Sequence, residues 1–193
     1  MRIIKYPHPA LRHKSKPLRR VDRDLQSMIR QMFDLMYEHN GIGLAANQVE
    51  LPYRLLVMNV KGDPAEKDFE FALINPVITH RKGVGEDREG CLSFPEIYAP
   101  VRRSAKVEIN AYNAEGREVT YEMDGLCARA AQHEIDHLDG VLFIDRLTPA
   151  NLAAIKGALS ELEYEFLGDR RLGLIPPDDH IRARLAELET ART

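Results

Sequence analysis

An α+β fold is what this sequence predicts, with antiparallel strands packed around one central helix and a helix at the C-terminus. Three observations point there. Strand-like alternation is concentrated ahead of a single helical stretch at 124–137. Lys106 to Asn113 alternates cleanly, with Val107, Ile109 and Ala111 on one face. Two other stretches, after Asp22 and after Thr148, repeat apolar residues at three- and four-residue spacing instead. With 193 residues the chain is sized for one domain over 1–193.

Residues 1–20 carry Pro7, Pro9 and Pro17 among basic residues, which predicts an extended surface arm. Asp22 suits an N-cap. The stripe Leu25, Met28, Ile29, Met32, Phe33, Met36 then forms an amphipathic helix whose apolar side is core, closed by Asn40-Gly41. Residues 41–48 are small and glycine-rich, suited to a tight turn or a close backbone approach. Arg54 to Val60 and Phe69 to Asn75 predict strands, and 79–90 a polar loop or hairpin. After Lys106 to Asn113, the pair Glu115-Gly116 turns the chain, and Val119, Tyr121 and Met123 form the return strand. From Asp124 the period becomes helical through His137. Thr148-Pro149 opens a further helix as N-cap and first helical residue, which Gly168 is expected to stop. Ile175-Pro176-Pro177 makes a short joint, and Asp178 or Asp179 caps a last segment with Ile181, Leu185 and Leu188.

Composition narrows the function classes. The chain is 44% hydrophobic and 30% charged, which excludes disorder, and no apolar run reaches the ~18 residues of a membrane span. Lys and Arg number 27 against 30 Asp and Glu, a formal charge of −3, so specific nucleic-acid binding is not expected. The N-terminus lacks the apolar stretch of a signal peptide, and two cysteines do not make a disulfide framework, so a cytoplasmic protein is expected.

The strongest local signal is His133-Glu134-Ile135-Asp136-His137. On a helix, residues four apart share a face, about 5–6 Å between Cβ atoms, so two imidazoles can hold one metal from one side. The intervening Glu134 can then serve as a general base. A catalytic metal needs a third protein ligand. The chain offers Glu161, Glu163 and Glu165 downstream, as in a thermolysin-like protease, and Cys91 upstream, next to Gly90. Cys127, between Leu126 and Ala128, reads as a small buried hydrophobe. By helix geometry Asp136 points away from the metal side, which suits an ion pair with Arg103. Arg102 and Arg103 are expected to be structural partners for Asp136 and Glu89.

Three segments in order resemble the peptide deformylases of bacterial type. They are Gly41-Ile42-Gly43-Leu44-Ala45-Ala46-Asn47-Gln48, Glu89-Gly90-Cys91-Leu92-Ser93 and Gln132-His133-Glu134-Ile135-Asp136-His137. The opening Tyr6-Pro7-His8-Pro9-Ala10-Leu11-Arg12 is similar to the family's N-terminal arm. The resemblance spans residues 3–147, and 148–193 is a helical extension without a motif. It implies that Cys91, His133 and His137 bind the metal and that Glu134 is general base and then acid. Gln48 and the Leu92 N–H would hold the oxyanion. Gly43 would lend backbone to the substrate groove, with Ile42 and Leu126 as apolar walls. It further implies one divalent metal, ferrous iron being the family's usual choice, whereas the ligand types alone equally suggest zinc; nickel and cobalt also fit. The implied partners are nascent formyl-Met polypeptides and a transient ribosome contact, for a monomer. Two positions depart from the pattern. Arg129 stands one turn before His133, where some relatives carry an apolar residue facing the methionine pocket. Tyr98 stands where some use arginine. A protease built on the same helix and a binding module with a closed structural metal are the competing readings.

Overall fold

The computed structural model describes residues 1–193. Its helices and strands in chain order are α1 (Arg23–Glu38), β1 (Gly43–Ala45), β2 (Leu55–Met58), β3 (Phe71–Lys82), β4 (Gly85–Cys91), β5 (Phe94–Arg103), β6 (Lys106–Tyr112), β7 (Glu118–Asp124), α2 (Gly125–Leu138), α3 (Pro149–Arg171) and α4 (Asp178–Arg192). Five strands form an antiparallel sheet in the order β1-β2-β3-β6-β7, and β4 and β5 form a separate hairpin. The α+β expectation is met. No helix is long and apolar enough to cross a membrane.

The period-2 alternation of the strands decides which helix covers which face. Leu55 and Val57 of β2 pack with Leu25, Ile29, Met32, Phe33 and Met36 of α1. Leu56 and Met58 point the other way, joining Leu73, Val107, Ile109 and Met123 against Ala128, Ala131, Ile135 and Leu138 of α2. Both faces are therefore buried at the β1–β2 end of the sheet, whereas β6 keeps one face exposed. A third cluster gathers Phe94, Ile97 and Val101 of β5 with Leu159 and Leu162 of α3, and Ile181 and Leu185 of α4. The residues after 147 thus share a core with the hairpin.

Asp22 caps α1, its carboxylate accepting from the Leu25 N–H at 2.9 Å, and Thr148 caps α3 as the sequence predicts. Other boundaries differ for physical reasons. The polar stretch 79–90 is the end of β3 followed by all but the last residue of β4. Only Glu89 of β4 is fully buried, because a two-stranded hairpin needs no apolar alternation along its solvent side. Pro95 and Pro100 disguise β5, yet an edge strand tolerates proline. Helix α3 runs through Gly168 to Arg171 and stops where Gly173 takes a φ of +72°, the left-handed turn glycine reaches without strain. Pro177, not an aspartate, holds the N-cap position of α4. Asp178 and Asp179 lie in its first turn, and Asp178 is paired with Arg170 of α3.

Candidate metal centre

Helix α2 is buried along nearly its whole second half, from Ala130 to Leu138. Ala128, Ala130 and Ala131 keep the helix close to the sheet, which leaves its next turn deep in the protein. There His133 and His137 stand one turn apart with ring centroids 4.9 Å apart. Cys91 ends β4, just past a register shift in the β4–β5 ladder at Glu89–Cys91, before the chain turns through Leu92-Ser93. Ligand atoms of Cys91, His133 and His137 lie within 4.8 Å of one another, and Cys91 Sγ is 3.2 Å from His137 Nε2. The three come from two separate elements and converge on one point.

The surroundings fit a metal. His133 Nδ1 donates to Glu89 Oε2 at 3.0 Å, so Nε2 is the nitrogen left for an ion. One thiol and two imidazoles make a soft and borderline donor set suited to a transition metal. Three protein ligands leave a fourth position open, as catalysis requires. Glu134 Oε2 is buried without any hydrogen-bond partner, an orphan that a metal-site water would satisfy. The alternative third ligands are elsewhere: Glu161, Glu163 and Glu165 are exposed on α3, and Glu163 accepts from the Tyr6 hydroxyl.

Burial pushes Glu134 up to about 7, with the charge of Glu89 adding to the effect, which brings it near the range where a carboxyl exchanges protons at neutral pH. Its position depends on Gly43. A Cβ built on Gly43 would sit 2.4 Å from Glu134 Oε1 and 3.0 Å from its Cγ. Gly43→Ala is expected to displace the carboxylate and lower kcat by about 10²-fold, the cost of misplacing a reacting group by about 1 Å. Metal content should stay at the wild-type level; unchanged kcat would mean that Glu134 has room to move without consequence.

Gln48 is fixed on both sides. Its Oε1 accepts from the Ala45 N–H at 2.8 Å, and its Nε2 donates to Ser93 Oγ at 3.1 Å and faces Cys91 Sγ at 3.4 Å. The Leu92 N–H donates to no acceptor in the protein. Two donors therefore flank the thiol. Ile42, Gly43, Cys91, Leu92 and Glu134 line one groove of about 640 Å³, together with Tyr98, which lies against Gly90. Leu126 is not part of that groove. It is half exposed on the first turn of α2 and lines a neighbouring depression with Gly85. Cys127 is half-buried rather than buried, and burial pushes its thiol up.

Behind the groove lies a charge network that the sequence reading only partly identified. Arg103 pairs with Asp136, as expected from the helix geometry, and Arg146 joins them with Nε–Oδ2 at 3.0 Å. Arg103 also reaches both oxygens of Glu89 at 2.9 Å. That Glu89 serves His133 was missed. The signal was its placement two residues before Cys91 on a strand, hence on the same side. Burial raises the Glu89 pKa, but hydrogen bonds from His133 and Arg103, with the Arg103 charge, outweigh it and hold the group at about 2. Its ordinary value is 4.5, so this stabilisation is complete above pH 4.5 and is lost as pH falls toward about 2. The loss amounts to about 3 kcal/mol. Urea unfolding at several pH values should show Glu89→Gln losing less stability than wild type across that window; parallel curves would contradict the assignment.

The family profile described as polypeptide deformylase matches residues 1–152. A peptide deformylase of Rhodopirellula baltica is 41% identical over 191 residues, 99% of this chain and 94% of the relative. One from Neisseria meningitidis is 41% identical over 161 residues, 83% of this chain and 95% of the relative. The crystal structure of Arabidopsis thaliana peptide deformylase 1B with an inhibitor superposes with a TM-score of 0.84 at 42% identity, covering 92% of this chain and 97% of that one.

Proposed function

Because the chain belongs to the peptide deformylase family, we propose that the cluster of Cys91, His133 and His137, with Glu134 beside it, is where it carries out the family's reaction. That reaction is the hydrolytic removal of the N-formyl group from newly made polypeptides by a metallo-hydrolase. The observation that carries the site assignment is the convergence of one sulfur and two imidazoles beside a buried carboxyl with an unpartnered oxygen.

Cys91, His133 and His137 would hold one divalent ion, ferrous iron in the native protein, with zinc, nickel or cobalt able to replace it. When bound, the metal polarises the formyl carbonyl and makes water more acidic. Glu134 takes the proton from the attacking water. As oxygen adds to the formyl carbon, the carbonyl oxygen gains charge and accepts hydrogen bonds from Gln48 Nε2 and the Leu92 N–H. Glu134 then returns the proton to the leaving nitrogen, the C–N bond breaks, and formate departs. Gly43 presents backbone along the groove and Ile42 supplies apolar wall. Leu126, half exposed in the neighbouring depression, would offer further apolar surface to the substrate. The protein acts as a cytoplasmic monomer that meets the ribosome transiently, and its whole length serves as one catalytic domain.

The formyl carbon bears only hydrogen, so it can approach between Cys91, Gln48 and Gly43 where an acetyl methyl would crowd. Anaerobically purified protein with one metal per chain should release formate from a formyl-Met peptide, and should cleave the acetyl-Met counterpart at least about a hundredfold more slowly in kcat/KM. Equal values for the two peptides would mean a general amidase site and would overturn this reading.

A further inference from the structure

Arg129 was the departure that raised a question in the sequence, because an apolar pocket wall was expected there. Its side chain is largely buried, and Arg129 lines the depression beside Gly85 and Leu126 rather than the groove at Cys91. One of its nitrogens donates to Glu89 Oε1 at 2.7 Å and to the Val101 carbonyl at 2.9 Å. The other donates to the Gly85 carbonyl at 3.2 Å. Gly85 and Glu89 belong to β4 and Val101 to β5, so one side chain on α2 grips both strands of the hairpin.

This matters because of how the ligands are distributed. Cys91 rides on the hairpin, whereas His133 and His137 ride on α2. No ladder joins the hairpin to the five-stranded sheet. The hairpin's turn is anchored by the Tyr6 N–H to the Ser93 carbonyl at 2.9 Å and by Gln48 to Ser93, and β5 packs on Phe143, but its direct polar ties to α2 are made by side chains. Gln132 meets the Ser104 backbone and Arg103 meets Asp136, both at the far end of β5. Arg129 is tied to Glu89, two residues from Cys91, and Glu89 is the same carboxylate that orients His133.

We propose that Arg129 is a positioning residue that fastens the β4–β5 hairpin to α2, so that Cys91 is held at ligand distance from His133 and His137 before any metal is present. The proposal rests on the ligand assignment above. Its consequence is preorganisation: without the tie, metal binding must also order the hairpin, and affinity falls by that cost.

The test uses the full chain with Arg129→Met, which keeps length and loses every donor, and Arg129→Lys. Zinc affinity is read by chelator competition, the visible spectrum of the cobalt-loaded protein reports coordination, and thermal unfolding of the metal-free protein reports folding. Arg129→Met should weaken zinc binding by about 10–100-fold, the range for residues supporting metal ligands, and alter the cobalt bands. Arg129→Lys should recover part of the affinity, since one ammonium reaches Glu89 but cannot serve both carbonyls. The metal-free midpoint should fall, but by less than would account for the loss of affinity. Wild-type affinity and spectrum in Arg129→Met would overturn the proposal. So would a rise in KM for formyl-Met peptide with metal affinity intact, which would make Arg129 a pocket residue. A fall in metal-free stability that accounts for the whole affinity loss would also overturn it, by reducing the role to folding. If wild-type cobalt protein lacked a thiolate charge-transfer band, the ligand assignment itself would fall and the proposal with it; that result is distinguishable because it precedes any substitution.

Discussion

Replacing Glu134 with alanine is expected to leave one metal bound per chain and to lower kcat by about 10²–10⁴-fold, the usual worth of a positioned acid–base group. The three ligand side chains are untouched by the change, so metal content should not move. Stability should not fall either. Glu134 is a buried carboxyl with one oxygen unpartnered and its pKa pushed up to about 7 by burial, a costly group for the folded state to carry. Glu134→Gln should be as inactive as the alanine variant, since an amide fills the space beside Gly43 but cannot take a proton. Formate release measured on protein of known metal content checks all of this. An alanine variant within a few-fold of wild type would remove Glu134 from the mechanism.

Cys91→Ser is expected to have the second large effect, through the metal rather than the proton. A serine hydroxyl remains neutral where the thiolate carries charge, and it is a poor ligand for a transition metal. Loss of a direct ligand should cost more than the 10–100-fold typical of a supporting residue, so the variant should purify largely without metal and release little formate. Cys127→Ser is the internal control. Cys127 is half-buried against the α2 side of the sheet and is not among the converging ligands, so its replacement should cost about 1 kcal/mol and leave metal and turnover intact. The reverse pattern would mean that the wrong thiol has been assigned.

Much of the site was legible because its chemistry is local in sequence. His133, Glu134 and His137 lie within one helical turn, so periodicity alone puts the imidazoles together and turns Asp136 toward Arg103. The Asp22 cap and the β6–β7 hairpin were readable for the same reason. Choosing Cys91 over the glutamates of α3 needed the resemblance, since nothing in its spacing brings a strand end to α2. The β4–β5 hairpin was only half legible: 79–90 read as a polar loop or hairpin, but β5 went unread because the pair has a mostly exposed strand and two prolines, which breaks the alternation by which strands are recognised. Leu126 lies apart from the groove at Cys91 for a rotational reason. It sits on the first turn of α2, before the helix enters the core, where an apolar side chain still faces solvent. Arg129 could not be read at all, because its partners are two backbone carbonyls and a carboxylate from strands distant in sequence.

The ligand set is tested most directly by X-ray absorption at the metal edge of the zinc-loaded wild-type protein. The account predicts one sulfur at about 2.3 Å and two imidazole nitrogens at about 2.0–2.1 Å, completed by a light atom from solvent, with the sulfur shell absent in Cys91→Ser. A wild-type spectrum without sulfur, or with two, would contradict it.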